Sequence, residues 1–214
     1  VGTEATLAAA KAAGVLGTGW NLTQTTLDRL LKPTADNLAP LERLSISVRD
    51  AINFYGNVTL DARKSGSGGT ETMVVLNTPA IYGWGDKNAS AMLAADTLVW
   101  NGVAAGDGTV QNPYRSVTPP AVQPGGAGTG SGHITFAARN ILFGYDPLAR
   151  TQNSAELERL ALGFSDVAFI AGEKVTANNR GIVSVFQSGT DAASYAGGNL
   201  SISAPLLTAD SGAM

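Results

Sequence analysis

The side chains able to do acid–base or metal chemistry are few, and their spacing decides what they can do. The chain has one His and no Cys, so a disulfide framework and any Cys-based zinc or redox centre are excluded. His133 opens an apolar run after a Gly-rich stretch. No partner set for a metal site or a catalytic triad is identifiable around it, and it reads as a surface or corner residue. Polysaccharide cleavage needs two acids close together, or an acid beside a Lys or Arg base. Asp50, Asp96 and Asp166, with Arg49 and Arg139, fall at near-equivalent points of the repeat described below. Stacking would gather them into a mixed-charge strip along one edge. Solvated corner residues are the expectation, and a carbohydrate-active enzyme is the alternative. Asp107, Asp146 and Asp166 lie in separate units, and the calcium-binding nonapeptide GGxGxDxUx is absent. GxxxxGK[ST] is absent too, and Gly126 to Gly132 lacks the GxGxxG order. Trp20, Trp84 and Trp100 could bind sugar rings if exposed, but Trp84 and Trp100 stand at repeat positions where packing is expected. No catalytic, cofactor-binding or metal-ligating residue is assigned, and no cofactor is expected.

The elements that would position these residues come from a repeat. Three alternating positions, a two-residue break, a second apolar patch and a Gly recur: RLSISVRDAINFYG from Arg43, TMVVLNTPAIYGWG from Thr72, AMLAADTLVWNG from Ala91 and HITFAARNILFG from His133. LALGFSDVAFIAG from Leu160, GIVSVFQSG from Gly181 and NLSISAPLLTADSG from Asn199 continue it. With anchors at Leu44, Met73, Ala91, Ile134, Leu160, Gly181 and Leu200, the residues two further on are Ile46, Val75, Leu93, Phe136, Leu162, Val183 and Ile202, all apolar. Period-two alternation marks short strands with one buried face, and Gly or Asn after each patch suits a corner. Anchors 18 to 43 residues apart fit one coil of a parallel β-solenoid plus variable loops. No single coil can bury its apolar face, and stacking at about 4.8 Å would turn like positions into columns. A β-sandwich also has short strands, but it does not explain an in-register two-strand motif. GNVTLDA from Gly56 resembles GNLSISA from Gly198 and reads as a further strand. The fold expected is therefore all-β: a right-handed parallel β-helix with those seven residues inside, a short N-terminal helix and one long Gly/Pro-rich loop.

Residues 1–43 do not follow the repeat and read as an irregular or helical extension packed on coils 44–214. Thr3 to Ala13 is Ala-rich and reads as a short helix or irregular coil ending at Gly14. TTLDRLLKP reads as two helical turns with Thr25 or Thr26 as N-cap and Pro33 as stop. The loop insertion at 103–132 is rich in Gly and Pro, Lys64 to Gly69 is a shorter loop, and Asp146 to Glu158 is a third excursion with a helical turn at Ser154 to Arg159. Charged residues make up only 14% of the chain, hydrophobic ones 44%, and the net charge is -3. That balance argues against a basic nucleic-acid binder and against disorder throughout. No run of 18 apolar residues appears, so no transmembrane helix is expected. The chain reads as a piece of a longer one, with Leu200, Ile202, Leu206 and Leu207 forming an open end that continues or associates end to end.

GWNLTQTTLDRLLKP, LERLSISVRDAINFYGNVTLDA and GGNLSISAPLLTADSG resemble the large filamentous haemagglutinin-type exoproteins of Gram-negative bacteria, in particular their C-terminal region. The resemblance covers most of the chain as pattern and residues 19–62 as a specific motif. It implies a right-handed parallel β-helix, export by an outer-membrane partner of the two-partner secretion route, and a secreted or cell-surface location. It also implies an adhesin whose partners are neighbouring coils of the same chain and a host-cell or matrix receptor or glycan. The N-terminal secretion domain and a toxin-like C-terminal domain are missing from these residues, so shaft architecture carries over and no receptor site does. The function expected is a structural and adhesive shaft segment that is not an enzyme.

Overall fold

Alternating apolar residues, several runs of them closed by Gly, produce most of the described strands. The computed structural model describes residues 1–31, 41–48, 51–63, 71–85, 88–104, 132–147, 157–188, 194–210 and 212–213. Two helices come first, α1 (Glu4–Ala12) and α2 (Gln24–Leu31). The strands are β1 (Arg43–Ser47), β2 (Ala51–Tyr55), β3 (Val58–Asp61), β4 (Met73–Asn77), β5 (Ala80–Trp84), β6 (Ser90–Trp100) and β7 (Val103–Ala104). They continue with β8 (Gly132–Phe143), β9 (Leu157–Leu162), β10 (Phe164–Ala177), β11 (Gly181–Ser188), β12 (Ala196–Gly197), β13 (Asn199–Ser203) and β14 (Leu206–Ala209). The fold is mostly β, and no described helix is long and apolar enough to cross a membrane.

An eight-stranded parallel sheet runs β1-β4-β6-β8-β10-β13, with β3 also on β6 and β14 also on β10. A six-stranded sheet runs β12-β11-β9-β5-β2, with β7 on β9. Among the described strands only the short β12 and β7 pair antiparallel. The long strands β6, β8 and β10 each serve two sets of neighbours. Their first halves align with β3 and β13, and their second halves with β1, β4 and β14. The register skips Asp96 on β6 and Arg139 on β8, the two-residue break of the motif.

In-register pairing makes columns of like side chains. Leu60, Leu93, Phe136, Phe169 and Ile202 form one. Leu44, Val74, Leu98, Ile141, Val175 and Leu207 form another. Phe136 and Phe169 stack at 4.9 Å and 9°, and Phe143 meets Phe169 edge-on at 4.9 Å. Trp100 is fully buried beside them, and its indole N–H donates to the Thr78 carbonyl at 3.0 Å. These rings fill the centre of the main core, where each fully buried Leu or Phe stabilises by about 1.5–3 kcal/mol. The columns end in Leu200, Ile202, Leu206 and Leu207, all substantially exposed.

The helices sit at the first-strand end. Thr3 caps α1 reciprocally with Thr6, each side chain taking the other's backbone N–H. Leu7 and Ala10 of α1 pack on Tyr55. In α2, Thr23 Oγ1 accepts from the Thr26 N–H at 3.1 Å, and Leu27 and Leu31 are buried in the main core.

Several expectations change. There are two N-terminal helices rather than one, and the cap of α2 is Thr23, three residues before the N–H it satisfies, not Thr25 or Thr26. Of the seven residues placed in one inner column, only Leu93, Phe136 and Ile202 share one. Met73 as anchor is one residue off, because Leu44 pairs with Val74 and Ile46 with Leu76. A one-residue slip moves every side chain to the other face. Leu162 and Val183 lie in the six-stranded sheet, where Leu162 pairs with Tyr82 and Val183 with Arg159. Three strand sets carry similar period-two patterns, and the motif does not tell them apart. GNVTLDA from Gly56 does contain a strand, β3, which takes the place beside β6 assigned to TMVVLNT. The helical turn at Ser154 to Arg159 is replaced from Leu157 by β9. Lys64 to Gly69 and most of 103–132 lie outside the described residues, as does the Pro33 stop.

Candidate functional site

A cavity runs along β1. Met73 N–H donates to the Glu42 carbonyl and Val48 N–H to the Asn77 carbonyl. Alternate residues of a strand point their backbone groups to opposite edges. The even-numbered residues of β1 therefore bond β4, and Arg43, Ser45 and Ser47 present N–H and C=O to the opposite edge. Among the described residues no strand pairs there. The equivalent edges of β2 and β3 are occupied. Tyr55 N–H donates to the Val1 carbonyl at 2.9 Å, and the Val1 ammonium donates to the Asn53 carbonyl at 2.7 Å. Asp61 N–H donates to Gln24 Oε1 at 2.8 Å, and Gln24 Nε2 donates to the Asp61 carbonyl at 3.4 Å. Burial pushes the Val1 ammonium down to about 6.

The cleft left on β1 has a volume of about 560 Å³. Its floor is apolar (Ile46, Val48, Ile52), and residues 16–22 form a wall. Trp20 in that wall is 60% exposed. Tyr55 holds the wall in place: its hydroxyl accepts from the Gly17 N–H at 2.9 Å and donates to the Val15 carbonyl at 3.2 Å. Among the described residues no Asp, Glu, Lys, Arg or His side chain lines the cleft, although the Val1 terminus does. Ile46, Val48 and Ile52 offer apolar contact, and the backbone of β1 offers hydrogen bonds on one side.

The predicted charged strip is divided between two corners. Arg139 pairs with Glu71 and with Glu173, the latter at 3.4 Å, and Asn140 Nδ2 donates to Glu173 at 3.2 Å. Asp96 occupies the same register break one strand away and accepts from the Thr72 N–H at 2.8 Å. Asp166 belongs elsewhere, beside His133 and Asn199 at the start of β10. Its placement with Asp96 followed from the anchor at Leu160, which is in the other sheet. Asp166 accepts from Ser165 Oγ at 2.6 Å and Asn199 Nδ2 at 2.9 Å, and lies 2.9 Å from His133 Nδ1. The Ser165 and Asn199 hydrogen bonds, then His133, hold its carboxyl below the usual range. Ser, His and Asp meet here, but Ser165 and His133 share one carboxylate oxygen. The serine hydroxyl donates to the acid rather than to the imidazole, which is not the order of a Ser-His-Asp triad. His133 is thus a half-exposed corner residue with a carboxylate partner that sequence spacing did not reveal. Asp146 is buried and paired with Arg43. Arg49, Asp50 and Asp107 lie outside the described residues. Trp84 packs between Tyr55 and Tyr82 and donates to Asn53 Oδ1 at 3.2 Å.

One charged residue escaped sequence reasoning altogether. Arg159 of β9 is 2% exposed, with Nε donating to the Trp100 carbonyl at 2.7 Å, one terminal nitrogen to Asn101 at 3.2 Å and the other to Leu157 at 3.5 Å. The guanidinium lies 5.8 Å from the Phe143 ring. Burial pushes its pKa down to about 10. It faces the corner at Gly102, where φ is +70° and an added Cβ would meet the Glu158 carbonyl at 2.7 Å. Its place in LERLAL looks like a solvated strand position, and no pattern marks it as buried.

Among the described residues no three His, Asp or Glu side chains gather as a metal site would require. Comparison with protein-family models, curated proteins and solved structures finds no match to this chain.

Proposed function

We propose that the chain is a structural and adhesive shaft segment of a large secreted bacterial surface protein of the filamentous haemagglutinin type, built as a right-handed parallel β-helix. The observation that carries this reading is the column Leu60, Leu93, Phe136, Phe169 and Ile202. Three strand sets, each paired in parallel and visited in turn along the chain, are what a three-faced coil would produce. Right-handedness follows the general preference of parallel crossovers. Residues 1–43 then form the extension and 44–214 the coils. Export through an outer-membrane secretion partner, a place on the Gram-negative cell surface and a receptor or glycan target belong to the same proposal, and so does the absence of catalysis. Support for the last point is that Asp166 and Arg139 are held by their neighbours at separate corners. An experimental structure of the whole chain tests the coil: antiparallel pairing of Leu44–Val48 with Met73–Asn77 would overturn it. Incubation with pectin, alginate and host glycans tests the role. Binding without turnover is expected, and turnover of any polymer would move the chain to the enzyme alternative.

A further inference from the structure

The corner where β6 ends holds a chemistry that a shaft role does not call on. Asn101 and Gly102 follow the last paired residue of β6, and they form the only Asn-Gly pair in the sequence. We propose that Asn101 is a self-modification site that the fold keeps locked and that reacts when this corner opens. In the reaction the Gly102 backbone nitrogen attacks Asn101 Cγ and forms a new C–N bond. The Cγ–Nδ2 bond breaks, and the side-chain nitrogen leaves as ammonia with the proton of the attacking amide. Water then opens the five-membered imide at either carbonyl. The product is an aspartate or, with the main chain rerouted through Cβ, an isoaspartate. A following glycine favours the attack because no side chain hinders its nitrogen.

Two demands of the fold bring the pair together. Gly102 sits at φ +70°, and an added Cβ would meet the Glu158 carbonyl at 2.7 Å and Arg159 Cγ at 2.9 Å, so glycine is required. Residue 101 continues a polar ladder. Asn101 Nδ2 donates to Asn77 Oδ1 at 2.9 Å, and Asn77 Nδ2 donates to the Ser45 and Ser47 Oγ atoms at 3.0 and 3.1 Å. The same contacts are the lock. They tie the carboxamide to β4, whereas ring closure needs it to swing back over its own main chain. That main chain is held as well: the Asn101 N–H donates to the Leu76 carbonyl at 2.9 Å, and the Asn101 carbonyl accepts from Arg159 at 3.2 Å. The rate of reaction therefore follows local opening of the corner. An isoaspartate adds one main-chain atom between Trp100, paired with Phe143, and Val103, paired with Glu158. The tight fit of Gly102 leaves no slack to absorb it. Loss of ammonia is irreversible, so a corner that has stayed open is marked and does not reclose in its first form. This inference rests on the corner alone and stands whether or not the adhesive reading does.

The test uses the full 214-residue chain at mildly alkaline pH in water enriched in heavy oxygen, both native and in concentrated urea. Peptide mass spectrometry reads the amide lost and the oxygen gained at Asn101, and enzymatic methylation reads the isoaspartate. Conversion in urea is expected, and conversion of the native chain should be at least tenfold slower. Asn77→Ala should raise the native rate several-fold at an unchanged melting temperature and leave the urea rate within twofold. Ser45→Ala combined with Ser47→Ala frees Asn77 without touching Asn101. This pair should raise the native rate by a smaller factor, which keeps the test valid if the first variant unfolds. Equal native and urea rates, no conversion at Asn101 in urea, or a native rate unmoved by either set of substitutions would overturn the proposal.

Discussion

Arg159 offers a quantitative test of how this core tolerates a charge without a carboxylate. Depression of its pKa from 12.5 to about 10 corresponds to roughly 3 kcal/mol of desolvation cost. Against that stand hydrogen bonds to the Trp100 and Asn101 carbonyls at 2.7 and 3.2 Å, each worth about 1.5–3 kcal/mol for a charged donor. Arg159→Met removes the charge and its cost, leaves the Asn101 carbonyl unpaired at about 1–3 kcal/mol, and leaves the Trp100 carbonyl with the Gly144 N–H as donor. These terms nearly cancel, and the net expectation is a change of about 1 kcal/mol or less. Arg159→Lys keeps the charge, hydrates more strongly and cannot fork to two carbonyls. It should lose more than the Met variant, about 3 kcal/mol or above at pH 7. The lysine pKa would be lowered in the folded state, so the unfolded state would bind more protons between the two pKa values. Stability of the Lys variant should then rise as pH increases through that window, while that of the Met variant stays flat relative to the parent. Urea unfolding with a common slope from pH 7 to 10 measures both. If Lys is tolerated better than Met, the fork is not what keeps the arginine buried.

The Val1 ammonium has its pKa lowered from 8.0 to about 6, so the unfolded chain binds more protons between those values. Its contribution of roughly 2–3 kcal/mol should be complete above pH 8 and lost as pH falls through 6. N-terminal acetylation should flatten this slope in urea titrations. Phe136→Ala should cost about 3–5 kcal/mol, since the ring is fully buried and stacked. Ile202→Ala in the same column should cost under about 1 kcal/mol, because Ile202 is largely exposed, and calorimetry separates the two. Thr23→Ala should destabilise by about 1 kcal/mol through loss of the α2 cap, read as a lower urea midpoint.

Strand identity was legible where alternation and a closing Gly coincided, as in HITFAARNILFG, which became β8. Column membership was legible only between segments of the same strand set, such as Leu93 with Phe136 and Ile202. Leu160 to Leu162 and Gly181 to Val183 alternate just as well but form a different sheet. Hydrophobic period reports a buried face and not which face of the architecture it is. The corner acids show the same limit: Asp166 looked equivalent to Asp96 until its pairing with His133 and Asn199 was seen. The β1 cleft could not be read locally at all. It exists because Val1 and Gln24 occupy the edges of β2 and β3 and no described residue occupies the third, a fact of long-range packing. Trp20 was the one signal for it, an aromatic residue outside the repeat.

Arg159 and Asn178 point to a common device. Where the chain leaves β6, the Trp100 carbonyl accepts from the Gly144 N–H at 3.2 Å, and the Asn101 carbonyl lies beyond the last paired residue of the strand. Arg159, from a strand of the other sheet, donates to both carbonyls. After Tyr145, Asn178 does the same: its Oδ1 accepts from the Tyr145 N–H at 2.8 Å and its Nδ2 donates to the Tyr145 carbonyl at 2.7 Å. Gly144 permits the approach, since a Cβ there would overlap Asn178 Oδ1 and its φ is +135°. Both residues come from a strand or turn later in the chain than the exit they serve. A buried backbone group without a partner costs enough to unravel a corner, so sealing the exits from another rung uncouples the stack from whatever lies between them. Replacing the residues between β7 and β8 with a short Gly/Ser linker is therefore expected to leave cooperative unfolding intact, and its loss in that variant would refute the argument.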